Sequence, residues 1–252
     1  MDRNSVPLLE ACVDSHASAL AAWSGGADRL ELCADLAIGG TTPSRALFRQ
    51  VRRDCPLPIN VLIRPRSGDF LYAPAEREEM EEEIRAFRDL GANGVVTGAL
   101  TPEGDLDQAV MARLIDCAGG LEVTLHRAFD MARDPFAALE AAIQLGCRTI
   151  LTSGQAPHAA AGQPLLRSLV DRSAGRIAIM AGGGIAPGNI QEIHRHTGVR
   201  SFHTSGRKGP LPSGMRFRQP NVSMGLPGLP EYELWQTDPA VIRACAQIVH
   251  SL

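Results

Sequence analysis

A single-domain α/β protein of the (β/α)8 TIM-barrel class is the fold this sequence predicts, and three observations predict it. Eight short apolar runs alternate with eight amphipathic segments of helix length along the 252 residues. That alternation gives βα units and hence a parallel sheet, because each crossover helix returns the chain to the same sheet edge. About 250 residues is the usual length of a closed barrel of eight such units, and it suits that architecture better than an open doubly wound sheet. The third observation is punctuation: helix-start and helix-stop residues recur at the expected places.

In chain order, strands are expected at 8–13, 29–34, 59–65, 94–99, 122–127, 149–154, 176–181 and 201–205. Helices are expected at 15–24, 43–53, 75–90, 107–117, 135–145, 165–173, 189–196 and 238–250. Asp134-Pro135 supplies an N-cap followed by proline at the first helical position, while Gly91 and Gly146 stand just past helix ends. The tetrapeptides at 26–29, 91–94 and 146–149 (GADR, GANG, GCRT) are equivalent helix exits leading into strands. Residues 207–237 break the rhythm with five prolines and four glycines, an irregular insertion between strand 8 and the last helix. A loop of this length is usually functional, and a lid or a subunit contact is the role expected of it.

The composition narrows the function. With 44% hydrophobic and 21% charged residues the chain is neither disordered nor collagen-like. A formal net charge of −3 offers no basic footprint for nucleic acid. No apolar run reaches the ~18 residues a membrane span needs. Residues 1–9 carry no basic n-region, apolar h-region or cleavage site, and the six cysteines are scattered, so reduced thiols and a cytoplasmic location are expected. Lys208, the only lysine among 25 basic residues, falls beyond strand 8. Schiff-base chemistry, which needs an inward lysine, is therefore disfavoured.

Active sites of such barrels lie at the C-terminal strand ends, so polar residues there carry the functional argument. Strands 1 and 2 share the pattern Glu-x-Cys-x-Asp, at Glu10, Cys12, Asp14 and at Glu31, Cys33, Asp35. The two-residue period puts each set on one face, and similar register would set thiol beside thiol and carboxylate beside carboxylate. Strand 3 ends in Arg64 and Arg66, planar donors for an anion or for the two glutamates. Strand 5 ends in His126 and Asp130, a candidate acid/base histidine beside carboxylates. Gly182, Gly183 and Gly184 follow strand 7, and Ser205 and Gly206 end strand 8, the position where many barrels cradle a phosphate on backbone N–H groups.

The segments at 10–14 (EACVD), 26–33 (GADRLELC), 39–43 (GGTTP), 63–66 (IRPR), 126–130 (HRAFD), 150–154 (ILTSG) and 180–184 (MAGGG) are collinear. Together they closely resemble the copper homeostasis protein CutC family over about residues 8 to 206. The resemblance implies a cytoplasmic barrel acting in copper handling, a homo-oligomer with a dimer favoured, and copper(I) held by the strand 1 and strand 2 cysteines, Cys12 and Cys33. Leu71 stands where some members carry a further cysteine, and Ser67 where glycine is frequent.

Two functions of different class follow. One is copper(I) binding by the Cys12 and Cys33 thiolates, soft ligands that select this ion. The other is an enzyme acting on a small anionic or phosphorylated substrate. Glu10, Glu31, His126 and Asp130 would then supply acid/base chemistry, and Arg64, Arg66, Gly182–Gly184, Ser205 and Gly206 would hold the anion.

Overall fold

The computed structural model describes residues 6–219, 221, 222, 224 and 230–252. Eight parallel strands close into a barrel in simple sequence order: β1 (Leu8–Val13), β2 (Arg29–Leu32), β3 (Ile59–Leu62), β4 (Gly94–Thr97), β5 (Glu122–Leu125), β6 (Thr149–Thr152), β7 (Ala178–Ala181) and β8 (Ser201–Thr204). The helices between and after them are α1 (His16–Gly25), α2 (Arg45–Asp54), α3 (Pro74–Asp89), α4 (Gln108–Ala118), α5 (Pro135–Gln144), α6 (Gln163–Ser173), α7 (Ile190–Thr197) and α8 (Pro239–Val249). All eight expected strands and all eight expected helices are present. Six of the strands, all but β1 and β7, end earlier than their apolar runs suggest, because the chain leaves the ladder there to build the mouth.

Alternation along each strand divides the barrel into two cores. Leu9, Ala11 and Val13 join Leu30, Leu32 and Val61 in the main cluster, which includes the helix residues Phe48, Phe87 and Met111. The intervening residues, Glu10, Cys12, Glu31 and Leu62 among them, fall on the other strand face and fill the barrel interior. Local chemistry starts the helices as expected. The Ser15, Ser44 and Asp107 side chains each accept from an N–H three residues on. Asp134 accepts from the N–H groups two and three residues on, and Asp238 from the one two residues on, ahead of Pro135 and Pro239. Each such cap is worth about 1 kcal/mol.

The 207–237 insertion is partly ordered as an antiparallel ribbon, β9 (Arg207–Pro212) with β10 (Glu233–Thr237), where an irregular loop was expected. Its root is pinned by Arg207, whose guanidinium donates to both oxygens of Asp14 at 2.6 Å. The ribbon packs on α1, beside the barrel.

Barrel closure leaves no spare room at one strand crossing. A Cβ on Gly94 would sit 2.5 Å from Asn60 Oδ1 and 2.7 Å from the Glu122 carbonyl oxygen. Gly94→Ala is therefore expected to destabilise the fold by about 1–3 kcal/mol through overpacking. Chemical denaturation reads this directly, and a loss within about 0.5 kcal/mol would mean that β4 shifts freely.

Candidate metal and anion site at the barrel mouth

The strand register sets the site. Glu10 lies opposite Arg29, and Cys12 lies opposite Glu31. The barrel is staggered by two residues between β1 and β2, so the two Glu-x-Cys motifs do not pair like with like. Thiol meets carboxylate across the strands instead. On the other flank of β1, Glu10 lies opposite His203 of β8.

These placements create a buried charge network. Glu10 is fully buried, accepting from Arg29 Nε at 2.6 Å and from His203 Nδ1 at 2.8 Å. Burial alone would favour the neutral acid, but Arg29 and His203 outweigh it and hold the carboxyl down at about 2. His203 is opposed by burial too, yet the negative charge of Cys12, Glu31 and Glu10 raises it well above the ordinary imidazole value. Its Nε2 lies 3.5 Å from Glu31 Oε2. Burial raises the Glu31 carboxyl. Burial, followed by the charge of Glu31, also pushes the Cys33 thiol well up. That thiol donates to Glu31 Oε2 at 3.3 Å.

One ligand atom from each of Cys12, Glu31 and His203 lies within 4.8 Å of the others. These three residues line one side of a cavity of about 290 Å³, whose wall also includes Leu62, Arg64, Phe70, His126, Arg127, Gly183, Gly184 and Ser205. Cys33 is wholly buried next to this group, packed with Cys12, Leu62 and Val96.

Of the residues picked out from sequence, Cys12, Glu31, Arg64, His126, Gly183, Gly184 and Ser205 reach the cavity. The others are placed elsewhere. Glu10 lies beneath it as the Arg29 partner. Asp130 is consumed by the Ser153 and Gln155 N–H groups, the Thr152 and Ser153 hydroxyls and Arg127. Arg66 turns to Glu76 at 2.6 Å and stacks on Tyr72. The Gly182 N–H remains in the ladder with the Thr152 carbonyl, and Gly206 packs where a Cβ would strike Ile242 at 2.4 Å. No described residue of 207–237 lines the cavity.

His126 differs from the expected carboxylate-paired base. Its Nδ1 accepts from the Ala128 N–H at 3.2 Å, its ring packs against Phe70 at 4.8 Å, and its buried Nε2 has no partner. Burial, aided by the positive charge of Arg64, holds it down at about 3. The carboxylate-paired histidine is His203. The signal for it was present, since period-two alternation from Ser201 and Ser205 puts His203 on their face. Arg127 was missed for a different reason. It sits in a short 3₁₀ turn, Arg127–Met131, that bends it back over the mouth where strand alternation does not apply.

A histidine held neutral in the fold binds fewer protons than it does unfolded. Its contribution is present in full above about pH 6.5 and is lost as the pH falls towards about 3, at ~1.4 kcal/mol per pH unit. His126→Gln is expected to flatten the decline in unfolding free energy between pH 6.5 and 4. An unchanged slope in denaturant titrations would place the neutral ring elsewhere.

Residues 7–208 match the CutC family pattern. A family protein CutC of Porphyromonas gingivalis is 46% identical over 245 residues, covering 97% of this chain and 98% of that protein. The human copper homeostasis protein cutC homolog is 44% identical over 246 residues, covering 97% and 90%. Among solved structures, a CutC protein of Streptococcus agalactiae superposes with a TM-score of 0.76 at 30% identity, covering 79% of this chain and 99% of that one. Joined to the closed barrel and its mouth, these likenesses establish that the chain belongs to the CutC family.

Proposed function

We propose that this protein binds copper(I) at the barrel mouth through the Cys12 and Cys33 thiolates, with His203 as a third donor, and that it serves copper homeostasis in the cytoplasm. The observation that carries this reading is the Cys12, Glu31 and His203 group, whose donor atoms lie within 4.8 Å of one another on a cavity wall, with Cys33 buried in the same cluster as Cys12 behind it. The Cys33 thiol has a built-in proton acceptor. Cys33 already donates to Glu31, and His203 stands beside Cys12. The hydrogen bond from His203 Nδ1 to Glu10 at 2.8 Å is the outer-shell contact that metal-bound histidines use to fix ring orientation. Thiolate and imidazole are also the donors copper(I) prefers over carboxylate, which leaves Glu31 as proton acceptor.

The test is copper(I) affinity by chelator competition under anaerobic, reducing conditions. The wild type is expected to take one ion per chain, more tightly as pH rises, because binding releases thiol protons. Cys12→Ser and Cys33→Ser should each abolish stoichiometric binding, and His203→Gln should weaken it by about 10–100-fold. Unchanged binding by the double cysteine variant sinks the reading.

The same reading includes a homo-oligomer, with a dimer favoured and a second copy of this chain as the partner. Its support is apolar surface in and beside the ribbon: Leu211, Leu234, Trp235 and Trp23 are all 44–50% exposed. Nucleic acid and membrane have no place in it, and no helix among the described residues is long and apolar enough to cross a bilayer. Sedimentation equilibrium of wild type against Leu211→Glu with Trp235→Glu should show a dimer reduced to monomer. A wild-type monomer at all concentrations overturns this part.

A further inference from the structure

The cavity wall also carries groups of a different chemistry. We propose that Arg127, Gly183, Gly184 and Ser205 form a phosphate subsite, and that the cavity takes a small phosphate monoester whose carbon portion lies against Leu62 and Phe70.

Four observations carry this inference. First, the cavity wall carries two arginines, Arg64 and Arg127, against one acidic side chain, Glu31. Second, Arg127 is held in place over the glycines. Its Nε donates to Asp130 at 2.7 Å and its second terminal nitrogen to Ser153 Oγ at 2.9 Å. The guanidinium carbon lies 3.6 Å from where a Gly183 Cβ would stand. A guanidinium fixed by two neighbours has lost little further freedom to lose on gripping a phosphate.

Third, Gly183 and Gly184 are consecutive residues in the left-handed region, with φ of +88° and +73°. Among the described residues no hydrogen bond occupies either N–H. Successive backbone N–H groups of this kind make anion-binding concavities, and glycine lets the anion approach closely. The Thr204 hydroxyl donates to the Ile185 carbonyl at 2.8 Å, which ties this turn to the end of β8 beside Ser205.

Fourth, His126 is 96% buried on the same wall with Nε2 unpartnered. A buried nitrogen without a partner is costly, and it is most simply accounted for by a ligand group that completes it. The apolar wall argues for an ester over the free ion, since inorganic phosphate would leave Leu62 and Phe70 facing water.

The experiment uses the full chain in reducing buffer containing a copper(I) chelator, so its outcome does not depend on the metal reading. Glycerol 3-phosphate, inorganic phosphate and glycerol are titrated separately by calorimetry at matched ionic strength. Glycerol 3-phosphate is expected to bind one site per chain, inorganic phosphate more weakly, and glycerol not at all. Arg127→Met should weaken glycerol 3-phosphate by about tenfold or more, the loss of a hydrogen bond to a charged group. If that variant fails to fold, amide shifts of wild-type Gly183 and Gly184 during the titration serve instead, and both are expected to move. The subsite is refuted if glycerol 3-phosphate does not bind, if Arg127→Met binds it as wild type does, or if saturation leaves both glycine amides unmoved. Binding of inorganic phosphate as tight as the ester, or tighter, refutes the monoester.

Discussion

The mouth of this barrel depends on one buried ion network, Glu10 held between Arg29 and His203. Moving an isolated carboxylate from water into a protein interior costs several kcal/mol, and a partner with good geometry is what makes it tolerable. Here both partners come from flanking strands, so the network ties β2 and β8 to β1, where the sequence-distant ends of the barrel close. Cys12 and Glu31 do most to raise His203 above the ordinary imidazole value, and the hydrogen bond to Glu10 adds to it.

Stagger in the barrel converts that network into a site. Had β1 and β2 paired in matched register, Glu10 would have faced Glu31, and two buried carboxylates side by side would have repelled. The offset of two residues sets Glu10 against a cation and Cys12 against a carboxyl. The repeated motif is thus read twice at different depths. In the first copy the glutamate is structural and the cysteine reaches the cavity; in the second the glutamate reaches it and the cysteine is enclosed.

The fold was legible because its signals are local. Apolar runs, caps such as Asp134-Pro135 and helix-exit glycines such as Gly91 act within a few residues, and each element follows from them. The candidate site was legible at Cys12, Glu31, Arg64 and His126, where strand alternation points to the mouth, and at Gly183, Gly184 and Ser205, which their place after strands 7 and 8 marks. Past the ladder, alternation says nothing, which is why Arg66 and Arg127 exchanged the roles their positions suggested. Arg66 was drawn off by Glu76, ten residues away on α3, and Arg127 was turned inward by a 3₁₀ turn. Register between strands is likewise a long-range quantity, so the pairing of Glu10 with His203, 193 residues apart, could not be read from either neighbourhood.

The two histidines of the cavity wall show how far environment separates identical side chains. His203 is surrounded by negative charge and keeps its proton, whereas His126 lies among Phe70, Arg64 and backbone and gives its proton up. Titratable groups pushed apart in this way are what acid/base assignments rest on, because one can donate a proton under conditions where the other can only accept. The cavity wall thus holds two unlike sets of groups, His203 with Cys12 and Glu31, and His126 with Arg64 and Arg127. The first gathers a thiol, a carboxyl and an imidazole whose donor atoms lie within 4.8 Å of one another. The second offers an unpartnered ring nitrogen and fixed N–H donors, and favours a ligand with oxygen atoms. Either occupant would alter the field felt by the other across a cavity of about 290 Å³. With the walls contributed by successive strands of one closed sheet, that coupling needs no moving part: it follows from charge and distance alone.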